Sequence, residues 1–157
     1  MTKNIFKVTF TVLIGALLAI TLSACGENSN EKSTALKEGK VPNRWYSVSQ
    51  KIKGERVFKD NCVVCHGEKA KGLTENWKQP LPDGSFSAPP LNGSAHAWHH
   101  SKDLLLRTVN NGGVPLGGTM PAFKDQLSDA DKEAAIAYIT SLWSDEIYKA
   151  WITRNPL

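Results

Sequence analysis

The chain has 157 residues, of which 41% are hydrophobic and 22% charged, with a formal net charge of +4. That balance fits a globular protein and excludes a disordered, collagen-like or multi-span membrane chain. The basic excess is too small to act as a nucleic-acid footprint, so no nucleic-acid partner is expected.

Residues 1–24 read as an export signal. Lys3 and Lys7 form a positive start, and Phe10 to Leu22 is an apolar stretch without charge, too short for an ordinary membrane span. It ends in Leu22-Ser23-Ala24-Cys25, which resembles the bacterial lipoprotein signal and implies a lipidated Cys25 at the start of the mature chain. An uncleaved anchor, or a secretory peptide cut after Ala24, is the competing reading. Either places the remainder in the cell envelope, on the periplasmic side of a membrane. Cleavage before Cys25 leaves 133 residues and a formal charge of about +2.

Residues 25–47 are expected to be the lipidated Cys and a flexible tether, because Gly26 to Val41 is nearly devoid of apolar side chains. A domain is expected over 48–143. Ser47 with Gln50 forms a capping box, and Ile52, Gly54, Val57, Phe58 and Cys62 recur at helical spacing, predicting a helix from Val48 to Asn61. Residues 67–100 are Gly- and Pro-rich, show no alternation and are expected to form a long loop without strands. Ser101 opens a helix carrying Leu104, Leu105, Leu106 and Val109, which stops at Gly112-Gly113. After a second loop, Ser128 and Asp131 cap a helix with the stripe Ala135, Tyr138, Ile139, Leu142 and Trp143. Ser144 starts a short further helix in an aromatic tail, 144–157, that packs back on the domain or meets a membrane or partner. An all-α domain of this size with two long loops is short of side chains to fill its centre, and a large buried cofactor would supply the missing bulk.

The chemistry lies in Cys62-Val63-Val64-Cys65-His66. Two thiols three positions apart on one helical turn can each add to a vinyl group of one porphyrin, and the adjacent His66 then reaches the iron. A structural disulfide, a thioredoxin-like redox pair and half of a zinc site compete with this reading. Zinc lacks a second Cys pair, since no Cys follows Cys65, and a redox pair expects a helix that begins at its first Cys rather than one that runs into it. An iron that shuttles electrons needs a sixth ligand, and Met120 is the one methionine downstream of the signal. His96, His99 and His100 are its rivals. That cluster could also bond the haem propionates, cap a loop, or hold copper.

From about Gln50 to Trp143 the chain resembles a class I c-type cytochrome. The matching pieces are Gly54-x-x-Val57-Phe58, Cys62 to Gly67, Pro89-Pro90-Leu91, Gly118-Thr119-Met120-Pro121, and Leu127-Ser128 with Ala137-Tyr138-Ile139. The resemblance implies the all-α class I cytochrome c fold, three to four helices with long loops wrapped around one covalent haem c. It implies thioether links at Cys62 and Cys65, with His66 and Met120 on the iron. It also implies a bond from His66 to the Pro89 carbonyl, a crossing of Gly54 and Phe58 with Tyr138, and a pocket lined by Leu91, Leu106 and Val109.

The function expected is that of a lipid-anchored, monomeric electron carrier with no bond-making catalysis. Its partners would be a quinol-oxidising complex or dehydrogenase and a terminal oxidase or reductase. A haem subunit of a periplasmic oxidoreductase or peroxidase-like enzyme is the alternative, as is a copper-linked redox module built on His96, His99 and His100. Between Lys51 and Lys78 seven basic residues face four acidic ones, a bias that would steer an acidic partner toward the haem edge.

Overall fold

The computed structural model describes residues 44–156. The export signal, Cys25 and most of the tether lie outside them. The fold is all-α: α1 (Val48–Asn61), a one-turn α2 (Val63–His66), α3 (Lys102–Asn111), α4 (Asp129–Ser141) and α5 (Asp145–Arg154). Pro80 and Phe86 form an isolated β-bridge. Short 3-10 turns at Glu68–Ala70 and His96–His99 break up the predicted loop over 67–100.

Hydroxyl caps set the helix starts. The Ser47 side chain accepts from Gln50 N while the Gln50 side chain bonds back to the Ser47 N–H, and Ser128 with Asp131 repeats the arrangement at α4. Ser101 and Ser144 accept from Leu104 N and Ile147 N at the starts of α3 and α5.

Helix α1 crosses α4 where Gly54 removes the side chain that would separate them. A Cβ on Gly54 would stand 1.8 Å from Ala134 O and 3.0 Å from Tyr138 Cβ. One turn later Phe58 meets Tyr138, their ring centroids 5.2 Å apart. The stripe expected on α4 is a minimum: Ala134 through Thr140 are all buried, because α4 is covered on several sides.

One segment differs from the expectation at the N-terminal edge of the domain. Residues 44–47, assigned to the tether, are packed. Tyr46 is buried, and Arg44 donates to Thr140 O and Trp143 O at the end of α4 and pairs with Asp145 at 2.6 Å. The guanidinium thus adds charged donors to carbonyls at the end of the helix, where intrahelical partners run out. The aromatic tail packs back on the domain, the first of the dispositions expected for it. Trp151 is fully buried and Tyr148 nearly so, and Trp45 N donates to Tyr148 Oη at 2.8 Å. Among the described residues no helix is long and apolar enough to cross a membrane.

Candidate haem site

Helix α1 delivers Cys62 as its C-terminal cap, and the chain then makes one further turn. Cys65 N and His66 N both donate to Cys62 O, at 3.2 and 2.9 Å. The whole C-x-x-C-H motif therefore lies on a single turn, with Cys62 half-buried, Cys65 exposed and Val64 74% exposed beside it. Both thiols are free. Burial, with a smaller contribution from Cys65, pushes the Cys62 thiol up to about 11, so it is not the low-pKa thiolate that a dithiol redox centre requires.

His66 is 8% exposed, and its Nδ1 lies 3.0 Å from Pro89 O. A carbonyl can only accept, so Nδ1 carries the proton and Nε2 keeps its lone pair. Burial lowers the His66 pKa, and the Pro89 bond opposes that shift without reversing it, which leaves a neutral imidazole at physiological pH. The backbone behind it is closed by Gly72 N donating to His66 O at 2.7 Å and Leu91 N to Ala70 O at 2.8 Å. To make this turn, Lys69 and Ala70 adopt φ of 52° and 56°, left-handed values that cost a non-glycine residue about 1–2 kcal/mol each.

Met120 is half-buried in a loop tied to the end of α3. Gly113 N donates to Met120 O at 2.9 Å, Phe123 N to Val109 O at 3.0 Å and Lys124 N to Asn110 O at 3.1 Å. Gly112 is essential to the seam, because with φ of 77° its Cβ would lie 2.6 Å from Met120 O. The buried Lys132 joins α4 to the same corner, bonding Asn110 Oδ1 at 2.8 Å and Asp129 at 2.7 Å.

The apolar side of α3 is a cradle. Leu104, Leu105, Leu106 and Val109 are all only partly covered, and no residue of this helix is fully buried. Leu91, Leu106, Val109, Cys62 and Val63 pack against the same core cluster as Phe58 and Tyr138, whereas Met120 stands outside it. A neutral imidazole with a free Nε2, two thiols on one turn, a soft thioether and a half-covered row of leucines fit a c-type haem.

The three imidazoles of the His96 to His100 stretch are distributed among aromatic neighbours. His96 stacks on Trp77 at 5.6 Å and meets His100 edge-on at 5.4 Å, while His99 lies 3.9 Å from Trp98. His100 O accepts from Trp151 Nε1 at 2.7 Å. Among the described residues no three His, Cys, Asp or Glu side chains converge on a metal position, so the copper-linked module has no geometric basis there.

Sequence reasoning did not identify Gly112 as a support for Met120, although its φ requirement was signalled by the Gly112-Gly113 pair. Arg44, Lys132 and the left-handed Lys69-Ala70 pair carried no local signal at all.

An all-α domain with a C-x-x-C-H turn and a carbonyl-oriented His defines the class of c-type cytochromes. Residues 49–139 match the family model of cytochrome c oxidase, cbb3-type, subunit III, and the chain belongs to that family, which implies haem c. It is 34% identical over 90 residues to the cbb3-type cytochrome c oxidase subunit CcoP of Azospirillum sp. (strain B510), covering 57% of this chain and 28% of that protein. It is 33% identical over 96 residues to CcoP of Rhodobacter capsulatus, with the same coverage of each, and 32% identical over 89 residues to subunit FixP of Bradyrhizobium sp. (strain ORS 278), covering 57% of this chain and 26% of that protein. The chain thus matches little more than a quarter of the length of these relatives. No solved structure matches it.

Proposed function

We propose that this chain is a membrane-anchored, single-haem c-type cytochrome that carries single electrons between redox proteins at the periplasmic side of a membrane, one of them a terminal oxidase. The observation that carries the reading is His66: buried, neutral, its Nδ1–H held by Pro89 O and its Nε2 free of hydrogen bonds among the described residues. Haem c, when bound, supplies an iron that changes by one electron.

Cys62 and Cys65 would hold the ring covalently from one turn, and His66 would ligate the iron through Nε2. Met120 would close the opposite side, leaving no position for a substrate, so the carrier reading is favoured over a peroxidase-like one. Pro89 fixes the imidazole plane and raises its basicity. Leu91, Leu105, Leu106 and Val109 would line the ring and exclude water from it, which would disfavour the ferric charge. Lipid on Cys25 would supply the anchor. The names of the relatives favour an oxidase complex as the setting.

The test is the absorption spectrum of the purified protein in both redox states, with acid-acetone extraction. Colour retained on the protein and a ferric near-infrared sulfur-to-iron band are expected. Haem released into the solvent would refute covalent attachment, and binding of carbon monoxide by the untreated ferrous protein would refute Met120 ligation.

A further inference from the structure

Trp143 belongs to no ligand set considered above, yet its indole is 2% exposed at the C-terminal end of α4. Its Nε1–H donates to Leu91 O at 2.8 Å, joining parts of the chain 52 residues apart. Leu91 also donates its N–H to Ala70 O at 2.8 Å. Two residues earlier, Pro89 O takes the His66 Nδ1–H at 3.0 Å. Pro90 sits between them with a ring-fixed φ, so residues 89–91 form a stiff bracket. One end of the bracket holds the imidazole, and the other is pegged by the indole.

We propose that Trp143 is a positioning residue for His66, acting through Leu91 and Pro89 to set the plane and basicity of the imidazole. The inference rests on the reading of His66 as iron ligand. Without the indole donor, Leu91 O loses its partner, and the Leu91 N–Ala70 O bond alone holds that end of the bracket. The Pro89 carbonyl then presents a poorer acceptor to Nδ1–H. A less basic imidazole stabilises ferric iron less, so the reduction potential moves upward.

The test uses the full-length, haem-loaded protein carrying Trp143→Phe, which keeps an aromatic ring and removes the N–H. Hydrogen exchange at His66 Nδ1 should be about five- to tenfold faster, the value of one lost hydrogen bond, and the potential should rise while the near-infrared sulfur band stays. Trp151→Phe is the control, since it removes the indole donor to His100 O at 2.7 Å, keeps an aromatic ring at the edge-on contact with Trp143 (5.3 Å), and leaves the Trp143 N–H in place. It should leave both readings at the wild-type value. Unchanged exchange and potential in Trp143→Phe overturn the proposal, as do equal changes in both variants, which would mean general loosening.

Should Trp143→Phe fail to accumulate, the wild-type protein still decides. The Trp143 indole N–H and His66 Nδ1–H should exchange at matching rates because one opening exposes both, and widely different rates overturn the coupling. The wild-type absorption spectrum tests the ligand reading separately.

Discussion

Replacing Gly54 with alanine places a methyl group where α1 and α4 touch. The new Cβ would meet Ala134 O at 1.8 Å and Tyr138 Cβ at 3.0 Å, and the first of these atoms is backbone, so no rotamer change relieves it. The helices must separate by more than 1 Å, roughly, for an ordinary contact, and overpacking of this kind costs about 1–3 kcal/mol. Separation also weakens the Phe58–Tyr138 ring contact at 5.2 Å, an aromatic pair of about 0.5–1.5 kcal/mol. Against this, alanine is the better helix former by up to about 1 kcal/mol. The net loss is about 2 kcal/mol, which lowers the melting temperature of a domain this size by roughly 8 °C. Thermal unfolding of the haem-loaded variant, followed by far-ultraviolet circular dichroism, measures it. A melting temperature within about 3 °C of wild type would refute the close-crossing argument.

Met120→Ala should abolish the near-infrared sulfur band and let the ferrous protein bind carbon monoxide; a variant that keeps the band has another ligand. Trp151→Ala removes a fully buried indole and strands His100 O, for a loss of about 3–5 kcal/mol in denaturant unfolding, and a loss below 1 kcal/mol would show that α5 is not part of the cooperative core. If Cys25 carries lipid as proposed, Cys25→Ser should move the protein from the membrane to the soluble fraction with its haem spectrum unchanged. Unaltered membrane fractionation would assign anchoring to another segment.

The parts of the fold that sequence made legible are those written within a few residues. Ser47 with Gln50, Ser101, Ser128 with Asp131, and Ser144 each place a hydroxyl where a helix must begin, and each helix begins there. The C-x-x-C-H spacing is equally local, and the structure puts it on one turn. What stayed hidden depends on partners distant in the chain. Arg44 finds its carbonyls about a hundred residues away, and Trp143 and Trp151 find theirs across roughly fifty. The all-round burial of α4 could not be read from its stripe, because which of its faces α1 and α3 cover is decided by contacts distant in the chain. The disposition of His96, His99 and His100 was equally invisible, since adjacent imidazoles have the same spacing whether they share a metal or stack on separate rings.

The left-handed pair Lys69 and Ala70 bears on the order in which the domain is assembled. Neither residue favours that conformation, so the tight turn between His66 and Gly72 is not formed by local preference but is imposed by the burial of Ala70 and by the bond from Leu91 N to its carbonyl. Without those contacts, neither residue has reason to hold the left-handed conformation. Once they form, the turn seals against the back of His66. The shape of the chain behind His66 therefore depends on Leu91, about twenty residues downstream, and not on the motif's own sequence.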